Sequence, residues 1–103
     1  MFFQRELLFL ETMIVDGTNS TNKVFLYTLS TCGWCKKLKS LLNENSVRYE
    51  YIDLDKCSRE DQVEAVEELK AKKLPVAFPI TVINDETIIQ GFKKDQIVEA
   101  LRL

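Results

Sequence analysis

The sequence predicts an α/β fold: a mixed four-stranded sheet with helices packed on it, in the order βαβαββα. Three observations carry that prediction. Short runs of β-forming residues alternate with stretches whose apolar residues recur every three or four positions, as in strand–helix units. One such helical stretch separates the first two strands, which implies a crossover and therefore a parallel pair. Near the C-terminus, two short apolar runs flank Asn84-Asp85-Glu86, a hairpin that adds antiparallel strands.

The elements follow in chain order. Residues 1–15 read two ways: Phe3, Leu7, Leu10 and Ile14 fall at helical spacing, whereas Met13, Ile14 and Val15 alone read as a short strand. Asp16-Gly17-Thr18-Asn19-Ser20-Thr21-Asn22 is a run of turn formers. It is read as a loop, so that residues 1–22 form an N-terminal extension and residues 23–103 the main domain. Phe2 and Phe3 suit packing on the domain or a dimer contact better than a solvated tail.

Residues 23–29 read as the first strand, with Val24, Phe25, Leu26 and Tyr27 as its β-formers, and Ser30-Thr31 breaks it. From Trp34 the period changes, and Cys35, Leu38, Leu41 and Leu42 make a helical stripe that ends at residues 43–46. Val47, Tyr49 and Tyr51 alternate with Arg48, Glu50 and Ile52, which predicts a strand reaching Asp53. Ser58 is an expected N-cap, with Glu60 and Asp61 in a first turn whose dipole favours anions. Val63, Val66 and Leu69 carry that helix to about residue 73. Residues 80–83 and 87–90 form the hairpin, and Ile97, Val98 and Leu101 mark a last helix over residues 94–103.

Length and composition exclude several classes of function. The 103 residues fit one domain, and 46% hydrophobic with 29% charged residues is a globular balance rather than a disordered one. Unbroken hydrophobic runs, such as residues 7–10 and 13–15, are no longer than four residues, whereas a membrane helix needs about 20, so no membrane association is expected. A net charge of -2 has the wrong sign for a nucleic-acid-binding domain. Histidine is absent, which removes histidine metal sites and every Ser/His or Cys/His nucleophile pair. The three cysteines are too few for a disulfide scaffold. Residues 1–15 carry Arg5, Glu6 and Glu11 and do not read as a secretory leader, so a reducing, cytoplasmic setting is expected. Paired cysteines there are more often catalytic or metal-binding than structural.

Two of the cysteines form Cys32-Gly33-Trp34-Cys35, which follows a strand and opens a helix. Unsatisfied N–H groups and the positive end of the dipole favour an anion at that point, and a thiolate is one. Lys36 and Lys37 add positive charge. Cys35 stands one turn further on, close enough for the two sulfurs to meet without backbone rearrangement. Cys32 then attacks and Cys35 resolves the mixed disulfide. Two other readings stand beside this one. Both cysteines could be small buried hydrophobes, or they could hold zinc with Cys57 as a third ligand, one short of a closed site. Cys57 itself reads as a bystander or as a regulatory or additional resolving thiol. Trp34 faces away from the Leu38 and Leu41 stripe and is expected to be exposed. Pro79 starts a strand, where its missing N–H costs least, and Gly91 reads as a turn glycine.

Tyr27-Thr28-Leu29-Ser30-Thr31-Cys32-Gly33-Trp34-Cys35-Lys36-Lys37 resembles the active-site segment of glutaredoxins, within the thioredoxin superfamily. Phe78-Pro79-Ile80-Thr81-Val82 is similar to that family's proline-strand motif, in which the proline is cis, and Gly91-Phe92 stands where glutaredoxins carry Gly-Gly. The resemblance covers about residues 23–103. It implies a thioredoxin-like three-layer sandwich with helices on both faces. It implies a thiol–disulfide oxidoreductase with Cys32 as nucleophile and a redox-active Cys32–Cys35 disulfide. The backbone of Phe78 would pair with the cysteine-bearing strand of a substrate. Phe78, Pro79, Gly91 and Asp95 would edge a thiol-binding groove, with Gly33, Trp34 and Phe92 beside them.

The chain also departs from the family pattern. Gly33 and Trp34 replace the usual Pro and Tyr, Leu29-Ser30-Thr31 offers no Lys for a glutathione carboxylate, and Phe92 replaces the second glycine. Gly91-Phe92-Lys93-Lys94-Asp95 resembles instead the glutaredoxin-like electron donors of ribonucleotide reductase, some of which thioredoxin reductase reduces. The expected reductant is therefore glutathione, another low-molecular-weight thiol or a reductase protein. The missing proline is shared with relatives that bridge a 2Fe–2S cluster between two subunits through the first cysteine and a thiol cofactor, which defines the alternative class. Otherwise no tightly bound cofactor and no metal are expected. The expected partners of a monomer are disulfide-containing proteins or mixed disulfides.

Seven of the fourteen basic residues lie in three groups: Lys36, Lys37 and Lys39; Lys72 and Lys73; Lys93 and Lys94. In such a fold they would form a basic rim around Cys32, steering acidic thiols or acidic protein partners. The plainer reading is solvated helix faces and caps of helix C-termini.

Overall fold

The computed structural model describes residues 12–74 and 76–103. Its sheet has five strands: β1 (Met13–Val15), β2 (Val24–Thr28), β3 (Tyr49–Asp53), β4 (Ile80–Ile83) and β5 (Thr87–Gln90). Three helices, α1 (Gly33–Glu44), α2 (Arg59–Ala71) and α3 (Lys94–Leu101), connect or follow them, with a 3₁₀ turn at Leu54–Lys56. The strand order is β1-β3-β2-β4-β5. β2 and β3 are parallel, as the crossover through α1 requires, while β1 on β3, β4 on β2 and β5 on β4 are antiparallel.

The four-stranded expectation is corrected by β1, which pairs Met13 with Tyr51 and Val15 with Tyr49 at the edge of the sheet. The polar run after it is no detached loop either. Asn19 bridges Val47, its N–H donating to the Ser46 carbonyl at 2.8 Å and its carbonyl accepting from the Arg48 N–H at 2.9 Å. Gly17 lets the two segments approach: a Cβ there would overlap the Ser46 carbonyl and stand 2.7 Å from the Val47 carbonyl carbon. The helical reading of residues 1–15 and the roles of Phe2 and Phe3 lie largely outside the described residues.

Alternation along the strands builds two cores. Phe25 and Tyr27 point to one face, where Ile52, Ile80 and Val82 meet Ala65 and Leu69 of α2. Val24 and Leu26 point to the other, where Tyr49, Ile83 and Ile89 meet Leu38 and Leu42 of α1 and Ile97 and Leu101 of α3. The result is a three-layer sandwich with helices on both faces. It explains why all five residues of β2 are buried: a strand covered on both sides has no solvent face.

The ends of the elements follow local chemistry. Ser46, at φ 56, turns the chain after α1. Ser58 caps α2, its Oγ accepting from the Asp61 N–H at 3.1 Å. Asn84 and Asp85, at φ 55 and 61, make the tight turn between β4 and β5, a conformation these side chains tolerate. Arg102, at φ 57, ends α3 before residue 103.

Candidate active site

The site lies where three segments meet at one end of the sheet. Tyr27 pairs with Ile80, so the Thr28–Leu29 exit of β2 lies beside Phe78-Pro79, the entry to β4. Ile80 pairs in turn with Gln90, which brings Gly91 against Pro79, its N–H donating to the Pro79 carbonyl at 2.7 Å. The Phe78–Pro79 peptide bond is cis, as the resemblance implied. Pro79 is buried, and Phe78 packs half-buried on the α2-side core. Gly91 adopts φ +82, a conformation that favours glycine.

The loop from β2 into α1 is pinned at both ends. Cys32 N–H donates to the Leu29 carbonyl at 3.1 Å. Ser30 N–H donates to Asp55 Oδ1 at 2.8 Å, and the Ser30 hydroxyl donates to Oδ2. Those two bonds hold the Asp55 carboxyl below the usual carboxylate range.

Cys32 is the N-cap of α1, and its Sγ accepts the Cys35 N–H at 3.2 Å. The side chain that usually fills this role is Ser, Thr, Asp or Asn, so here a sulfur takes the place of a capping oxygen. The sulfur thus stands at the positive end of the helix dipole with an N–H directed at it. Cys32 is half-buried and Gly33 beside it is exposed, whereas Cys35 is fully buried, and no disulfide joins the two cysteines. Burial pushes the Cys35 thiol up to about 12, and its hydrogen bond with Cys32 adds to this; the Lys39 charge pulls the other way. At neutral pH Cys35 is therefore a protonated thiol behind a more accessible partner.

This asymmetry has a direct test. Iodoacetamide at pH 7 is expected to modify Cys32 at least about tenfold faster than Cys35, read by peptide mass spectrometry after a timed quench. The ratio should fall as the pH rises towards 12, where the buried thiol loses its proton. Equal labelling of the two at pH 7 would contradict the assignment.

Trp34 is exposed, as its position off the apolar stripe predicts. It stacks on Phe92 with ring centroids 5.9 Å apart and planes at 26°, and Lys37 Nζ lies 4.8 Å from its ring centre. Phe92, in the second-glycine position, also packs against the core of α1 and α3. Asp95 is exposed in the first turn of α3.

The basic rim is narrower than the charge groups suggest. Lys39 turns inward: its Nζ is 3.3 Å from Asp53 Oδ1 and 3.7 Å from the Tyr51 ring centre. Lys72 pairs with Glu68 one turn before it, on the far end of α2. Lys93 Nζ donates to the Gln90 carbonyl at 3.2 Å. Lys36, Lys37 and Lys94 instead line one groove along α1.

Sequence reasoning missed Asp53 and Asp55 and set Lys39 in the rim rather than against Asp53. Asp53 accepts from Thr28 Oγ1 at 2.5 Å as well as pairing with Lys39, so it ties the exit of β2 to the helix that carries the cysteines. Cys57 Sγ donates to the Asp53 carbonyl at 3.6 Å and packs on the α2-side core. Among the described residues no three His, Cys, Asp or Glu side chains gather as a metal-binding group, so the zinc reading with Cys57 finds no support. No helix among the described residues is long and apolar enough to cross a membrane.

Comparison with known proteins agrees with this fold. The family model for glutaredoxins matches residues 24–88. Glutaredoxin 1 of Rickettsia conorii is 34% identical over 50 residues, which cover 48% of this chain and 49% of that protein. The matched segment thus spans about half the length of this curated relative. Among solved structures, a glutaredoxin from Methanosarcina mazei superposes with a TM-score of 0.75 at 41% identity, covering 89% of this chain and 88% of the other. A methanoredoxin from Methanosarcina acetivorans gives 0.75 at 40% identity, covering 84% and 90%.

Proposed function

Because the chain belongs to the glutaredoxin family, we propose that it is a dithiol thiol–disulfide oxidoreductase in which Cys32 attacks and Cys35 resolves. One observation carries the assignment of roles: the Cys32 sulfur caps α1, while Cys35 donates its backbone N–H to that sulfur and keeps its own thiol buried.

The Cys32 thiolate attacks one sulfur of a substrate disulfide. A Cys32–substrate disulfide forms, and the other half of the substrate leaves as a thiolate. Cys35 then loses its proton and attacks the Cys32 sulfur. The second substrate thiolate leaves and the Cys32–Cys35 disulfide remains. Two electrons pass to the substrate and the cysteine pair is oxidised. The high position of the buried Cys35 thiol keeps it from competing for the first attack. The Lys39 charge favours the anion it must become in the second.

Phe78 and Pro79 form the proposed ledge for the substrate's cysteine-bearing strand. Gly33, Trp34, Gly91, Phe92 and Asp95 border the space in front of Cys32. The substrates are disulfide-containing proteins or mixed disulfides, and the protein works as a cytoplasmic monomer. The electrons return from glutathione, another low-molecular-weight thiol or a reductase protein. In a donor assay the oxidised protein is supplied with glutathione, a neutral small thiol, an anionic small thiol, or thioredoxin reductase with its nicotinamide donor. At least one donor is expected to sustain turnover of hydroxyethyl disulfide. Failure of all of them would overturn the oxidoreductase reading.

A further inference from the structure

Outside the space in front of Cys32, the described residues form a groove rich in basic side chains. It has a volume of about 320 Å³ and runs along the outer face of α1, walled on the other side by Phe92 and Lys94. Lys36, Lys37 and Lys94 give it three ammonium groups, against the single carboxylate of Glu44. The whole chain has a net charge of -2, so this positive strip stands against a negative background.

The groove starts one helical turn beyond Cys32. Lys36 lies one turn beyond Cys32 on α1, its N–H donating to the Cys32 carbonyl at 3.1 Å. Two of its lining residues touch Trp34: Phe92 stacks on the indole and Lys37 Nζ lies over it. Phe92 is shared by the stack and the groove wall, and Leu41 adds an apolar patch. From residue 36 to residue 44 the helix rises about 12 Å, which matches three to four residues of extended chain. That is longer than a small thiol and suits a peptide. Along α1 the charge is also graded, with Lys36 and Lys37 nearer Cys32 and Glu44 at the far end.

We propose that this groove binds an acidic segment flanking the substrate cysteine of a disulfide-bearing protein, with the acidic residues within about four positions of that cysteine. The proposal rests on the oxidoreductase reading and names the substrate class that reading leaves open. The lysines provide long-range attraction and pairing, while Leu41, Phe92 and Trp34 offer apolar contact to residues between the acids. Lys39, Lys72 and Lys93 take no part, because each is engaged elsewhere.

The test uses two short synthetic peptides, each joined through its single cysteine to 2-mercaptoethanol as a mixed disulfide. One carries Asp beside the cysteine and the other Asn at the same positions. At low salt the Asp peptide is expected to have a kcat/KM about tenfold higher, the size of effect that focused surface charge produces. At about 1 M salt, where the Debye length is about 3 Å, the two should differ by less than about twofold. The combined variant Lys36→Gln, Lys37→Gln, Lys94→Gln should bring the Asp peptide to the value of the Asn peptide. Equal kcat/KM at low salt, or a preference that survives the triple substitution, overturns the proposal.

Binding is also read without turnover. Trp34 is the only tryptophan and touches Phe92 and Lys37 of the groove, so its fluorescence reports on the groove. Titration with the Asp peptide carrying Ser in place of Cys should give a saturable, salt-sensitive change, and its absence overturns the docking. The two failures are distinguishable. Saturable binding with neither peptide reduced keeps the groove and removes the oxidoreductase reading. Equal reduction of both peptides does the reverse.

Discussion

Cys32→Ser is expected to lower disulfide reduction by roughly 10³-fold or more, to the level of background thiol exchange. The reason is positional. The N-cap of α1 is the one place in the pair where a sulfur meets both an N–H donor and the helix dipole, with Cys35 N–H 3.2 Å away. A serine there keeps the cap, since its hydroxyl accepts the same hydrogen bond, so the fold should remain stable. Thermal unfolding within a few degrees of the unaltered protein, together with absent turnover, would separate chemistry from folding. If Cys32→Ser retains a tenth or more of the activity on any disulfide, another thiol does the work, and Cys57 is the next to examine.

Cys35→Ser has the second largest expected effect, and it should divide substrates into two classes. Removal of a small thiol from a mixed disulfide needs only Cys32 and an external thiol, so that activity is expected to stay within about threefold of the unaltered protein. Reduction of an internal protein disulfide needs an intramolecular second attack, whose effective concentration no external thiol matches. That activity should fall by roughly 10²-fold or more. The comparison is made with one mixed disulfide and one protein disulfide under the same donor. Equal loss on both would remove the division of roles between the accessible sulfur and the buried one.

Much of this arrangement is legible in the sequence because it is local. The apolar run of β2, the change of period at Trp34 and the Ser58 cap all lie within a few residues of the feature they specify. Cys32 and Cys35 share one helical turn, so their meeting follows from spacing alone. What escaped the sequence is held by long-range pairing. Residues 13–15 read as a strand or as the end of a helix, and the edge that Tyr49–Asp53 offers decides for the strand. Lys39 reads as one of a run of charges. Only the parallel crossover brings Asp53 and Tyr51 beneath it and turns it from a rim residue into a half-buried partner. Asp55 and Ser30 stand 25 residues apart, and nothing around either residue announces the bond that fixes the loop before Cys32. The cis bond before Pro79 lies between these cases: the residues alone favour trans, and the resemblance to a family supplied the correct isomer.

The central claim is that the first covalent bond to substrate forms at Cys32. It is tested most directly by mixing the reduced Cys35→Ser protein with a disulfide substrate, quenching with acid and locating the adduct by peptide mass spectrometry. The account predicts one substrate half per chain, on the peptide containing Cys32, and an unmodified Cys57. An adduct on Cys57, or no adduct while the substrate is still consumed, would contradict it.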